Sequence, residues 1–434
     1  MRILVVGINY APDLIGVAKY NTELCEALAA AGHEVRVVTA PPYYPAWFVP
    51  KAHRRWFYRT ETINGVSVRR SPIYVPRVPT GAKRLLHHAS FALSSVWPVV
   101  SAAIGWRPDV VFSAAPSLMS APFSAWIARR IGAFSWLHVQ DFEVDAAFDL
   151  GLLSNKHLRD RMFAAESAIL RSFDCVSTIS PQMLKRLASK GVMPEKVREF
   201  RNWTDTSQIR PGDRQSAFRK QLGLEDSQFV GLYSGTMSNK QGLDLVIEAA
   251  RSLQHSDPNV RFVLCGEGPH RATLQGMAAG LNNVQFLGLQ PDDRFAALLG
   301  MADFHLIPQK IEATDLVLPS KLGGIFATGR PVIAMSRPDT GLATEVAGAG
   351  LVIPPGDATA LAAAVSKLAD DPDLCRSLGE GARKTALARW DKTAILGAVE
   401  QVMVGCSELS KTPAPDLPRA PTQSRPVKVE CGTD

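Results

Sequence analysis

The feature that most constrains this chain is a strand-length apolar run that leads into a helix and then into a second such run, all within the first forty residues. Ile3-Leu4-Val5-Val6-Gly7 and Val35-Arg36-Val37-Val38-Thr39 are short and rich in β-branched residues. Between them Leu24, Ala27, Leu28 and Ala31 recur at helical spacing, and Gly32 closes the helix. Such a βαβ unit demands parallel strands with helices on the sheet faces. Similar runs follow at 109–112, 134–139 and 175–179. A second series begins at 229–233 and repeats at 261–265, 284–287, 304–307 and 331–334. A chain of 434 residues is too long for one ordinary core, so the pattern predicts two doubly wound α/β domains in tandem. The expected division is 1–205 and 206–388 for the domains, 389–406 for a helix packing back on the first, and 407–434 for a tail. Arg210-Pro211-Gly212-Asp213 breaks regular structure near the join. Pro413, Pro415, Pro418, Pro421 and Pro426 punctuate the polar tail, which predicts disorder there.

Composition adds a few exclusions. Apolar residues at 46% with 21% charged suit a soluble globular chain. Cys25, Cys175, Cys265, Cys375, Cys406 and Cys431 show no CxxC or CxxH spacing. That argues against a metal site or a disulfide framework and fits a reducing cytoplasm. Met1-Arg2 runs directly into the first strand, so no secretory leader is expected. The net charge of +7 is unevenly spread: nine Lys/Arg and one acid, Glu61, lie between Lys51 and Arg84. Two readings stand open, a solvated basic face and a surface that attracts anionic phosphates or lipid head groups. No nucleic-acid-binding motif accompanies the charge, so nucleic acid is not an expected partner.

Residues 89–106 (ASFALSSVWPVVSAAIGW) carry no charge over eighteen positions. Pro98, Gly105 and the serines weigh against a membrane span, and a span would interrupt an α/β domain. The segment reads either as a helix buried in the first domain or as one lying in a membrane interface. In the second case Lys83, Arg84, His87 and His88 would anchor it.

A nucleoside diphosphate needs backbone N–H groups and cations where a helix dipole is positive. The loop after the first strand ends at Gly16 before a helix, where a missing side chain lets backbone approach a diphosphate. It lacks the GxGxxG spacing of dinucleotide binding. Gly235-Thr236-Met237-Ser238-Asn239-Lys240-Gln241-Gly242 follows a strand and precedes a helix, setting Lys240 beside a glycine-rich turn. Gly266-Glu267-Gly268-Pro269 follows the next strand. Pro319-Ser320-Lys321 opens another helix, with Ser320 as candidate N-cap and Lys321 in the first turn. A cation there opposes the dipole unless an anion sits beside it. Lys321 therefore reads either as a phosphate ligand or as an ordinary surface lysine.

These residues, in this order, resemble the retaining glycosyltransferases of family 4, whose GT-B fold sets two Rossmann-like domains across a central cleft. The resemblance runs from residue 1 to about 405. It takes in Gly16, Ile179-Ser180, Arg201-Asn202-Trp203-Thr204-Asp205-Thr206, Gly235 with Lys240, the Gly266 to Pro269 turn, and Gly329-Arg330-Pro331-Val332. Three stretches look most like the colanic-acid-type fucosyltransferases of bacterial exopolysaccharide clusters. They are Asn9-Tyr10-Ala11-Pro12, Pro41-Pro42-Tyr43-Tyr44-Pro45 and His138-Val139-Gln140-Asp141-Phe142-Glu143. The resemblance implies a nucleoside-diphosphate sugar held mainly by the second domain, GDP-fucose by the narrower likeness. It implies an acceptor held by the first domain. A lipid-linked or oligosaccharide acceptor is expected there, and the basic residues 51–84 with the nearby aromatics suggest a cytoplasmic chain that can meet a lipid diphosphate or the membrane surface. Gly16, Gly235, Thr236, Lys240, Gly266, Gly268, Ser320 and Lys321 fall on the donor side, and Tyr43, Tyr44, Trp47, Gln140 and Glu143 on the acceptor side. Lys240 matches the lysine that neutralises the diphosphate as charge builds on the β-phosphate. No Asp-x-Asp motif is present, and neither metal nor cofactor is implied.

The sequence departs from that family in three places. Thr236 stands where an arginine is usual, leaving Lys321 or Arg201 as substitutes. The paired glutamates fall on Leu316 and Gly324, with Glu312 and Asp315 nearby but off register. The usual His-Asp pair reads Gln140-Asp141, with His138 two positions earlier. Residues two apart share a strand face, so His138 reads either as a cleft group or as a core histidine. Asp141 ends a strand where α/β sheets place ligands, and is the candidate for orienting a sugar or acceptor hydroxyl. Same-face attack, with the departing phosphate taking the proton, requires no protein base. Two other functions fit the same fold: a nucleotide-sugar epimerase and a non-catalytic partner subunit.

Overall fold

The computed structural model describes residues 1–13, 16–54, 57–142, 156–212, 216–310 and 318–411, and each apolar run named above falls on a strand. The first sheet comprises β1 (Arg2–Gly7), β2 (Glu34–Thr39), β3 (Arg59–Ile63), β4 (Val66–Arg70), β5 (Val110–Ala115), β6 (Phe134–Val139), β7 (Cys175–Thr178) and β8 (Val197–Glu199). Their order is β3-β4-β2-β1-β5-β6-β7-β8, parallel except between β3 and β4. The second sheet comprises β9 (Phe229–Ser234), β10 (Val260–Cys265), β11 (Val284–Leu287), β12 (Phe304–Ile307), β13 (Val332–Met335) and β14 (Gly350–Ile353). Its order is β11-β10-β9-β12-β13-β14, parallel throughout. Two Rossmann-like sheets in one chain make the GT-B fold.

Central parallel strands are covered on both faces, which is why they read as unbroken apolar runs. Ile3 and Val5 of β1 pack with Tyr20, Leu24, Phe112 and Trp136, whereas Leu4 and Val6 pack with Phe91, Val99 and Val111 on the other face. The antiparallel hairpin β3–β4 lies outside the expected strands. Its turn is Asn64-Gly65 at φ 47° and 81°, the left-handed pair that a two-residue hairpin favours.

The chain crosses between the domains twice at one place. The Thr204 N–H donates to the Trp390 carbonyl at 2.8 Å, and the Lys392 N–H donates to the Thr204 carbonyl at 3.0 Å. Gly323 lies against this crossing, where a Cβ would come within 2.8 Å of Thr204 Oγ1 and the Trp390 ring. The returning helix Lys392–Lys411 packs Leu396, Val399 and Met403 into the first domain beside Leu24 and Trp136. It continues through 407–411, a stretch expected to be disordered, because nothing there breaks a helix before Pro413. The rest of the expected tail, 412–434, lies outside the described residues.

The helix Gly81–Gly105 covers most of the uncharged segment and is buried on one face only. His87 is fully buried, with Nδ1 2.6 Å from the Tyr74 carbonyl. Burial lowers the pKa of both His87 and His88 to about 4, so neither is the cationic anchor that the sequence suggested.

Candidate active site

Open α/β sheets bind ligands beyond the carboxyl ends of their strands, where the strand order reverses. The first sheet reverses between β1 and β5, the second between β9 and β12. The contact that orients these edges joins Gln182, in the first turn of the helix Pro181–Ser189, to Gly341, which opens the helix Gly341–Val346. A Cβ on Gly341 would overlap the Gln182 side chain. One helix follows β7 and the other follows β13, and each begins at its strand's carboxyl end, so the two carboxyl edges face each other. Arg201 pins the same region. It is buried, ion-paired to Glu345 at 2.9 Å and Glu199 at 2.6 Å, and its guanidinium lies 5.3 Å from the Trp390 ring centre. These contacts engage Nε and one terminal nitrogen of Arg201; the other, Nη1, is buried without a hydrogen-bond partner among the described residues.

At the second sheet's reversal point the glycines have distinct reasons to be glycine. Gly266 and Gly268 sit at φ 148° and 156°. A Cβ on Gly266 would fall on the Gly235 carbonyl oxygen, and one on Gly268 on the Met237 carbonyl oxygen. The Gly235 N–H donates to the Cys265 carbonyl at 3.0 Å and the Met237 N–H to the Glu267 carbonyl at 2.8 Å. The loops after β9 and β10 thus pack backbone on backbone and form a rigid floor. Gly235, also at φ 148°, lies over it, and Thr236 beside it is exposed.

Lys321 projects toward that floor. Its Nζ lies 4.0 Å from the Tyr233 ring centre and 3.7 Å from where a Gly235 Cβ would stand. The Nζ is buried and has no hydrogen-bond partner among the described residues. Burial alone lowers its pKa from the usual lysine value to about 7. The Tyr233 hydroxyl donates to the Thr236 carbonyl at 2.8 Å, which fixes both the ring beneath the ammonium and the loop beside it. Sequence reasoning missed Tyr233, whose only signal is an aromatic residue two positions before Gly235 at a strand end. Ser320 is exposed and does not cap: the helix Leu322–Ala327 starts beyond Lys321 without a side-chain cap, because the Leu322 N–H already bonds the Pro319 carbonyl at 3.0 Å.

Lys240 belongs to the single turn Asn239–Gln241, and its side chain lies outside the described residues. Lys310, after β12, pairs with Asp244 at 3.0 Å and donates to Asn239 at 2.9 Å, clamping the loops on either side of the reversal. A side chain at Gly324 would run toward Leu299, Ile209 and Phe295, an apolar direction away from this floor. Leu316, Glu312 and Asp315 lie outside the described residues. A cavity of about 950 Å³ sits at the opposite edge of the second sheet beside Asn259, Asp303 and Pro331.

In the first domain the loops after β1, β2 and β4 are tied together. Asp13 accepts the N–H groups of Tyr43 at 3.2 Å and Tyr44 at 3.3 Å, and burial raises its carboxyl pKa. Arg70, from the basic stretch, is buried and donates to the Ala11 and Ala40 carbonyls at 2.6 and 2.9 Å, so this cation braces loops rather than facing solvent. Gly16, at φ 63°, precedes the helix Val17–Ala30, which has no side-chain cap, and a Cβ there would touch nothing. Tyr43 is buried against Trp47 and His87, whereas Tyr44 is exposed.

His138 resolves as a core residue. Its Nδ1 lies 2.9 Å from Ser177 Oγ and its ring is 4.6 Å from Phe200 and 6.1 Å from Phe112. Burial lowers its pKa to about 3, leaving it neutral. It faces the aromatic cluster beneath β6 instead of the cleft, because β6 is covered on both faces. Gln140 is buried just past β6, Asp141 is exposed beside it, and Glu143 lies outside the described residues.

Residues 16–203 match the family model described as "Glycosyl transferase 4-like domain", and residues 214–385 match "Glycosyl transferases group 1". WcaI of Escherichia coli (strain K12), assigned to colanic acid biosynthesis as a glycosyl transferase, is 45% identical over 336 residues, 76% of this chain and 82% of WcaI. Among solved structures, sucrose-phosphate synthase from Thermosynechococcus elongatus superposes with a TM-score of 0.69 at 20% identity, covering 94% of this chain and 100% of that one. Anabaena Alr3699/HepE in complex with UDP-glucose gives 0.65 at 17% identity, covering 93% and 100%.

Proposed function

The chain belongs to the glycosyltransferases of the GT-B fold, and we propose that it transfers fucose from GDP-fucose, with retention, to a lipid-linked or oligosaccharide acceptor in exopolysaccharide assembly. The observation that carries the donor side is the buried Lys321 ammonium over Tyr233 beside Gly235, with no hydrogen-bond partner among the described residues. In this reading the diphosphate lies on the glycine floor, with Lys321 and Lys240 on its oxygens. As the bond from the anomeric carbon to the phosphate oxygen breaks, negative charge grows on the β-phosphate. A fixed ammonium there stabilises the transition state more than the ground state. The acceptor oxygen attacks from the same face, and its proton passes to the departing phosphate. Asp141 orients a hydroxyl, and the loops braced by Asp13 and Arg70 hold the acceptor beside Tyr44. The exopolysaccharide setting draws on the likeness to WcaI, and the choice of fucose rests only on the resemblance of the 9–12, 41–45 and 138–143 stretches to colanic-acid-type fucosyltransferases.

A thermal-shift screen of GDP-, UDP- and dTDP-sugars tests this. The true donor at about 100 times its Kd stabilises the fold by roughly 2.7 kcal/mol. A screen in which none of them shifts the melting temperature ends the donor-site reading. GDP release that requires an acceptor separates transfer from epimerisation, and NMR of the product linkage reads retention.

A further inference from the structure

We propose that the outer face of the helix Gly81–Gly105, with the cations beside it, docks on an anionic lipid bilayer without crossing it. Leu86, Leu93, Trp97 and Ile104 are 54%, 76%, 58% and 74% exposed. At about 100° per residue these four positions fall within roughly 20° of one line along the helix. The buried positions Phe91, Ser95, Val99 and Ala102 lie on the opposite side. A water-facing helix normally carries charge on such a face, yet no charge occurs from Ala89 to Trp106. Single exposed apolar residues are ordinary; a continuous stripe of them marks a contact surface.

The flank of the stripe is basic and aromatic. Tyr58 donates its hydroxyl to the Ser94 carbonyl at 2.9 Å, which lays the start of the β3–β4 hairpin along the helix, next to Phe57 at 82% exposure. Arg69 lies 5.6 Å from the Tyr58 ring centre and reaches Ser101 Oγ at 3.4 Å, and Lys83 is exposed on the same flank. No carboxylate occurs in the chain between Glu61 and Asp109. A second copy would bring the same cations with nothing opposite to meet them, whereas an anionic membrane supplies both an apolar boundary and the counter-charge. Crossing is excluded by packing: Phe91, Val99, Ala102 and Ala103 share a core with Leu4, Val38 and Val111, which a span would empty. The His87 ring is 4.6 Å from Tyr43, so the docked helix begins against the loop that also carries Tyr44.

Co-sedimentation of the full chain with vesicles tests this, independently of the sugar chemistry. Equal parts phosphatidylglycerol and phosphatidylcholine should bind it, with roughly tenfold weaker binding to phosphatidylcholine alone or in about 0.5 M salt. Leu93→Glu with Trp97→Glu should cut binding to the mixed vesicles at least roughly tenfold while melting temperature stays unchanged. Leu93→Ser keeps the test open if the double variant misfolds, and should weaken binding in the same direction. The proposal falls if wild type ignores the mixed vesicles or if the variants bind as well as it does. It also falls if sedimentation velocity shows a wild-type dimer that these substitutions dissociate, which would make the stripe a contact between copies.

Discussion

The Lys321 ammonium lies buried against a tyrosine ring with no hydrogen-bond partner among the described residues, and a pKa of about 7 leaves it only partly charged at neutral pH. If the proposed donor diphosphate binds at Lys321, its binding is coupled to protonation of this lysine. Its pKa in the free protein is about 7, so above that pH most molecules must take up a proton to bind a diphosphate. GDP affinity should fall about tenfold per pH unit from pH 7 upward until the pKa of the bound state is reached. Calorimetry in buffers of different ionisation enthalpy should show close to one proton taken up near pH 8, and none in Lys321→Met. Stability carries the opposite sign for this residue. The unfolded chain protonates it near 10.5 and the folded chain near 7, so the stability it contributes is present above 10.5 and lost as pH falls to about 7. Lys321→Met should therefore melt no lower than wild type at pH 7 while transfer drops at least about a hundredfold in kcat/KM. A parallel loss of both would mark Lys321 as structural. His138→Phe makes the contrasting case: as a core residue it should retain kcat/KM within roughly threefold.

Among the elements, the two loops that form the donor floor are locked by their backbones. Gly266→Ala places a methyl on the Gly235 carbonyl at a φ of 148°. It should cost roughly 3 kcal/mol or more, measured by chemical denaturation, and abolish the GDP thermal shift. This level also shows what the sequence makes legible. Parallel central strands announce themselves because both faces are buried, so β1, β5, β6, β9 and β10 stand out as apolar runs. The β3–β4 hairpin escapes that signal: its exposed edge strand, Arg59-Thr60-Glu61-Thr62-Ile63, has few apolar side chains, and only Asn64-Gly65 marks it. The glycine loops and Lys321 can be found from spacing. That Gly266 and Gly268 serve loop packing, and that Arg201 serves the domain junction, depends on partners far away in the chain. The period of two that would pair His138 with Gln140 does not reach Gln140, because β6 ends at Val139, and it cannot say which face of a doubly covered strand borders a cleft.

For the whole molecule, transfer requires the two carboxyl edges to meet at a set distance, and Gln182 against Gly341 is where they touch. The crossings at Thr204 and Trp390 run side by side, so the domains turn about one junction, and the Arg201–Glu345 pair fixes its inner side. A Cβ on Gly341 would take the space of the Gln182 terminal amide, which must swing aside or hold the two helices apart. Alanine at 341 is compatible with its helix, so Gly341→Ala should leave each domain folded and GDP affinity within roughly threefold, since the donor floor belongs to the second domain alone. Transfer should fall at least about tenfold, because a wedge of even one methyl holds the acceptor away from the reacting carbon. Gln182→Gly frees the same space from the other side. Combined with Gly341→Ala, it should restore most of the lost kcat, a coupling that two independent sites would not show. Steady-state kinetics on the two single variants and the pair decide it: additive losses would mean that this contact does not set the gap across which the sugar moves.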